Sequence, residues 1–231
     1  MKPHSIAKTL LSGVFLTACA GTASAISIVN GDFEAGNTGF SSGYTYVSPG
    51  SNALQPPSVY TVDTNPNTSH PSFYSMGDHT NGTGKMMIVN GDDVGGKTVW
   101  SGTADTNLTV GDIYAFSFWV ASVYPDSPAL LEALVTLTTG DQHLGYMTPT
   151  SGPAGNWTQF SGTFTATASS SLPTGSFGLL NLNLNYSGND FALDDIEITK
   201  VGSLPVPDGG MTLALLGASL GGLAFVRRKL A

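Results

Sequence analysis

Between residues 26 and 200 the chain runs in short stretches of alternating hydrophobic and polar positions, broken by clusters of Gly, Asn, Asp, Ser and Pro. An alternation of period two marks a strand with one buried face. Residues 112–121 place Tyr114, Phe116, Phe118 and Val120 on one face, with Ala115, Ser117, Trp119 and Ala121 on the other. Residues 157–165 set Phe160 and Phe164 against Trp157, Gln159, Ser161 and Thr163. Residues 180–186 alternate most regularly, predicting Leu180, Leu182, Leu184 and Tyr186 inside and Asn181, Asn183 and Asn185 outside. Segments 85–90, 98–100, 134–138 and 191–199 supply further strands, and 127–137 reads as a short helix turning into a strand. There is no heptad and no internal repeat. About eight strands at this spacing predict an all-β fold, a jelly-roll β-sandwich.

The two ends follow other patterns. Lys2, His4 and Lys8 form a positive start before an apolar run at 9–20, and Ala23-Ser24-Ala25 supplies a small-x-small site. Together they predict a secretory signal over 1–25, cut by signal peptidase after Ala25, with Ala23 and Ala25 as its recognition residues. Leu16-Thr17-Ala18-Cys19 also resembles a lipoprotein lipobox, in which Cys19 would be lipidated. Cys19 is the sole cysteine, so a cut after Ala25 leaves a chain without disulfide or thiol chemistry.

At the other end, Val206-Pro207-Asp208-Gly209-Gly210 is a turn-forming stretch, residues 211–226 carry no charge, and Arg227, Arg228 and Lys229 close the chain. Sixteen helical residues span about 24 Å, close enough to a bilayer core of about 30 Å for terminal Arg and Lys to make up the difference. Basic residues directly after the span hold that end in the cytoplasm and leave the body outside. The expected organisation is a signal peptide at 1–25, a β-sandwich at 26–200, a linker and motif at 201–210, a transmembrane helix at 211–226 and a cytoplasmic basic cluster at 227–231. This order of motif, span and basic pair resembles the PEP-CTERM sorting tails, in their VPDSG-type form, with Gly209 in place of the motif's Ser. The resemblance implies recognition by an exosortase and delivery from the inner membrane to the cell surface or to a biofilm-type extracellular matrix.

Composition narrows the chemistry. Charged residues make up 10% of the 231-residue chain, against roughly 25% in an average domain. Residues 26–205 hold three basic and fifteen acidic side chains, a surplus of twelve negative charges. Such a body repels phosphate backbones, which argues against nucleic acid as a partner. Surplus carboxylates without basic partners suit solubility or a hard cation.

Ile28-Val29-Asn30-Gly31-Asp32-Phe33-Glu34 at the opening of the body and Asn189-Asp190-Phe191-Ala192-Leu193-Asp194-Asp195-Ile196 at its close resemble the galactose-binding-like jelly rolls of family 4/9-type carbohydrate-binding modules. That resemblance implies a structural calcium held by Glu34, the carbonyl of Asp32, and Asp194 or Asp195, and Asp78 in its Gly-rich loop is a further candidate ligand. It also implies a polysaccharide ligand. Trp119, Trp157 and Gln159, with the row Asn181, Asn183 and Asn185, are the stacking and amide groups such a ligand would meet, provided their strands share one sheet.

Catalysis finds little support. There is no HExxH pair and no G-x-S-x-G elbow, and no two carboxylates are placed by their pattern as an acid–base pair. The expected function is a non-catalytic surface protein that binds extracellular polysaccharide. The alternative is a structural or adhesive matrix protein without a defined sugar site.

Overall fold

The structure, a computed structural model, describes residues 24–137, 140–150, 156–167 and 176–204, together with Leu216. The described residues form eleven strands and one short helix. The strands are β1 (Ser24–Ser27), β2 (Thr45–Tyr46), β3 (Val59–Asp63), β4 (Met86–Asn90), β5 (Thr98–Thr103), β6 (Asp112–Ser122), β7 (Leu131–Leu137), β8 (Gly140–Met147), β9 (Thr158–Thr165), β10 (Ser176–Asn181) and β11 (Phe191–Ser203). The helix, α1 (Pro66–Ser69), starts at Asn65, whose side chain accepts from the Asn67 N–H at 3.0 Å.

One sheet runs β2-β3-β4-β11-β6-β9, with β1 also paired to β11, and the second runs β5-β10-β7-β8. All pairings are antiparallel except β2 with β3. The two sheets form the jelly-roll sandwich that the alternation predicts.

The long β6 alternates as its sequence requires, with Tyr114, Phe116, Phe118 and Val120 buried between the sheets. Phe116 stacks on Phe177 of β10 at 5.1 Å, and Phe118 on Phe160 of β9 at 5.0 Å. Each such ring contributes roughly 1.5–3 kcal/mol by leaving water. A second cluster, with Leu54, Phe73, Met76, Met86 and Ile88, lies under the chain that carries α1. This explains why β4 is buried along its whole length and reads as an unbroken apolar run.

β11 changes partner along its length, and this positions the site. Phe191–Leu193 pair with β4, Glu197–Lys200 pair with β1, and the register shifts between Asp194 and Glu197. Asp195 takes a left-handed φ of 44° in that bulge. Gly31 of the opening motif seats against it: its carbonyl accepts from the Ile196 N–H at 2.9 Å, and a Cβ at Gly31 would run into the Ile196 carbonyl oxygen. The opening and closing motifs therefore meet because only glycine permits that approach.

Three expectations are corrected. The expected inside and outside of residues 180–186 do not hold: β10 ends at Asn181, which is buried, whereas Leu182, Leu184 and Tyr186 are exposed, with Asn183 half-buried and Asn185 exposed. The phase is set upstream, where Phe177 and Leu179 point into the core, and the register shifts at Leu179/Leu180. Segment 127–137 holds no helix among its described residues, only β7 from Leu131. Finally, β11 continues to Ser203, past the expected domain end at 200. β1 begins at Ser24, so a cut after Ala25 falls inside a strand. Residues 1–23, Ala23 included, lie outside the described residues, as do Val206, Pro207, Asp208, Gly209, Gly210, Arg227, Arg228 and all of 211–226 apart from Leu216. Among the described residues no helix is long and apolar enough to cross a membrane.

Candidate functional site

β6 and β9 are neighbours, and Trp119 lies directly across from Gln159 in their ladder. Both residues occupy the outer face of the larger sheet, opposite the core rings. Trp157 sits just before β9 and packs half-buried against the second apolar cluster. Three of the six sequence-predicted sugar contacts are thus brought together. The group that joins them went unpredicted. His79, from the Gly-rich loop after α1, stacks on Trp119 with centroids 3.9 Å apart and planes 16° from parallel. Its edge meets Trp157 at 5.8 Å.

The closing motif holds that loop in place. His79 Nδ1 lies 2.6 Å from Asp195 Oδ2, and Thr80 Oγ1 donates to Asp195 Oδ1 at 2.9 Å. Asp194 is fully buried; its Oδ2 accepts from the main-chain N–H of His79 at 2.8 Å and of Thr80 at 3.3 Å, and its Oδ1 from Asp195 N–H at 2.9 Å. Burial pushes the Asp194 carboxyl up to about 7, main-chain donors pull it down, and the Asp195 charge adds to the rise. Strand alternation would send Asp194 and Asp195 to opposite faces, but the bulge overrides it: both carboxylates serve the 79–80 loop, and Thr80 Oγ1 lies within reach of each.

Two of the remaining acids, Glu34 and Asp78, form a separate pair. Glu34 Oε1 accepts from Lys85 N–H at 2.9 Å, and Lys85 Nζ donates to the Glu34 carbonyl at 2.9 Å. Asp78, also buried, accepts from Gly84 N–H at 2.7 Å and Asn81 N–H at 3.0 Å. A Cβ on Gly84 would strike Glu34 Oε1 and lie 3.1 Å from Asp78 Oδ2, so both carboxylates flank this glycine. The Asp32 carboxylate accepts from Glu34 N–H at 3.3 Å, and Asp32 shares with Thr80, Asp105, Asp195 and Glu197 an open groove of about 530 Å³. Among the described residues no three His, Cys, Asp or Glu side chains are disposed to hold a metal ion. Glu34 with Asp78 makes two, against the six to eight oxygens that calcium takes.

Asn181, Asn183 and Asn185 belong to the other sheet and the loop after it, away from Trp119 and Trp157. Their side chains organise that loop. Asn181 accepts from the N–H of Leu130 and Asn183 and donates to the Asn189 carbonyl. Asn183 donates to the carbonyls of Ser127 and Pro128 at 2.9 Å each.

The outer face of the smaller sheet carries another unpredicted group. Glu132 is buried there beside His143 Nδ1 at 2.6 Å, and across from Tyr146 in the β7–β8 ladder. Tyr146 is exposed, and its phenol is raised chiefly by a hydrogen bond to Glu132. The available signal was the alternation of β8, which the glycines at 140 and 145 obscure.

Comparison with known proteins agrees at two levels. Residues 205–230 match the family described as the VPDSG-CTERM motif, the mark of an exported, C-terminally sorted protein. No curated protein matches the chain. Among solved structures, a Stig cyclase from Fischerella sp. TAU, crystallised with a pyrrolidinylidene-indole ligand, is 16% identical, with a TM-score of 0.53 over 79% of this chain and 100% of its own. The tandem CBM22 domains of Paenibacillus barcinonensis Xyn10C are 14% identical, with a TM-score of 0.51 over 84% of this chain and 49% of theirs. The body therefore has the fold of carbohydrate-binding modules, one that cyclases also use.

Proposed function

We propose that the protein is exported, sorted through its C-terminus by an exosortase, and binds extracellular polysaccharide without catalysing a reaction. The observation that carries this reading is the convergence of Trp119, Trp157, His79 and Gln159, from three elements distant in sequence, on one outer sheet face. Aromatic rings beside a side-chain amide suit the apolar face and flanking hydroxyls of a sugar. His79 occupies one face of Trp119, so sugar contact falls to Trp157, to Gln159 and to the partly exposed rim of His79. Because the fold serves both binding modules and cyclases, the non-catalytic reading rests on the site. Asp194 there is buried and spends both oxygens on main-chain donors, which removes it as an acid–base partner for Asp195.

Affinity electrophoresis of the full-length protein through gels containing neutral and acidic polysaccharides tests the proposal. Retardation by at least one polymer, lost in Trp157→Ala, is expected. The alternative, a structural matrix protein, draws on the covering of Trp119 by His79, which leaves no open indole pair. Retardation by no polymer, with matrix assembly still lost when the protein is removed, would favour it. Calcium belongs to the proposal as a stabilising ion whose carboxylate ligands are Glu34 and Asp78. A ligand that binds only the folded state raises the melting temperature, so a melt unchanged by EDTA would remove calcium from the account.

A further inference from the structure

Asp190, in the closing motif, takes no part in the site described above. It is 6% exposed; its Oδ1 accepts from Gly91 N–H at 3.0 Å, and its own carbonyl accepts from Val123 N–H at 3.2 Å. Its second oxygen has no donor among the described residues, and the residue lines a cavity of about 230 Å³ with Gln55, His70, Asn90, Tyr124 and Tyr186. No base reaches it. That oxygen is not sealed from solvent but faces the cavity, where a ligand hydroxyl can take the place of water.

The rest of the lining is equally unspent. Asn90 Nδ2 donates to the Leu54 carbonyl at 2.7 Å, which leaves its Oδ1 without a protein donor. His70 stacks on Phe73 at 4.4 Å, and its Nδ1 accepts from Ser72 N–H at 3.3 Å, which leaves the proton on Nε2. Tyr186 is 71% exposed at the rim. Acceptors (Asp190 Oδ2, Asn90 Oδ1) and donors (His70 Nε2–H and the phenols) thus line one space. A hydroxylated ring, which both gives and receives hydrogen bonds, uses all of them, whereas an ammonium would leave the donors idle. The volume falls below the roughly 300 Å³ at which pockets for drug-sized ligands begin, so it suits one ring and not an oligosaccharide.

We propose that this cavity binds a single neutral pyranose, the end residue of a chain, with adjacent hydroxyls donating to Asp190 and Asn90 and the Tyr186 ring against its face. The proposal rests on the carbohydrate reading above but uses none of that site's residues. Calorimetric titration of the full-length protein with galactose, glucose, mannose, xylose and glucosamine tests it. At least one neutral sugar binds at a single site. Asp190→Asn, which puts an amide donor where the acceptor was, and Tyr186→Ala each weaken it by about tenfold or more, whereas Trp157→Ala leaves it unchanged. Tyr186 is exposed, so its variant keeps the fold and decides the matter should Asp190→Asn unfold. Silence from every neutral sugar, binding indifferent to Tyr186→Ala, or binding of glucosamine alone would overturn the proposal. Polymer retention through Trp157 with a silent sugar titration sinks this pocket only, and sugar binding here without polymer retention sinks only the outer-face site.

Discussion

Asp190 carries its carboxylate into an interior that offers one main-chain donor and no base, and burial pushes its carboxyl up from 3.8 to about 6. An acid with a raised folded value holds its proton more tightly folded than unfolded. Its stabilising effect is complete below pH 3.8 and lost as pH climbs through about 6. Chemical denaturation should therefore show the protein gaining stability on acidification from pH 7 to pH 4, with at most about 3 kcal/mol from this group. Asp190→Asn should remove its share of that gain and leave the share that Asp194, raised to about 7, supplies. Asp92 is held low against burial by Ser58, Gly95 and Lys97, and Asp112 is held low by Lys200 and Ser203. These two lose their contribution only below the ordinary carboxylate range, whereas Asp194, raised to about 7, adds to the gain on acidification and His70, held below its ordinary value by burial, opposes it. A profile flat or rising with pH between pH 4 and pH 7 would contradict the assignment. Gly31 is a second single-residue test. A methyl there meets main chain on the bulged strand, so Gly31→Ala should cost about 1–3 kcal/mol in urea unfolding.

At the scale of elements, the asparagine–leucine segment is the sharpest test. Asn181 is buried and tied to Leu130, Asn183 and Asn189, whereas Leu184 is 42% exposed. Asn181→Ala should cost about 1–3 kcal/mol through the donors and acceptor it orphans. Leu184→Ser should stay within about 0.5 kcal/mol. The reverse order would restore the strand phase that the sequence pattern suggests. That pattern misleads because period-two alternation fixes which residues share a face but not which face is buried. Here Phe177, four residues upstream of Asn181, decides it by stacking on Phe116. The alternation of β6 and β9 was readable because aromatic rings mark one face and small or polar residues the other. β3 and β8 were not readable, since one is buried on nearly every residue and the other is interrupted by glycine. His79 was invisible as a site residue for a different reason. Its partners lie 40, 78 and 116 positions along the chain, and no local spacing encodes a stack on Trp119 or a contact with Asp195.

For the molecule as a whole, the two terminal motifs of the body act as one clasp. The opening strand and Gly31 pin the β11 bulge, and the bulge aims Asp194 and Asp195 at the loop that brings His79 to the tryptophans. The proposed face is thus set by the closure of the sandwich, on a body with a large acidic surplus whose C-terminus carries the sorting motif. Of the three tryptophans, Trp100 is sealed in the core, while Trp119 and Trp157 stand at the proposed face. Intrinsic tryptophan emission therefore reports on that face directly. Titrating the full-length protein with exopolysaccharide purified from the producing cells should give a saturable change in emission, which Trp157→Phe reduces and Trp157→Ala abolishes together with binding. Unchanged emission up to saturating polymer, or an identical response in Trp157→Ala, would contradict a polysaccharide site on this face.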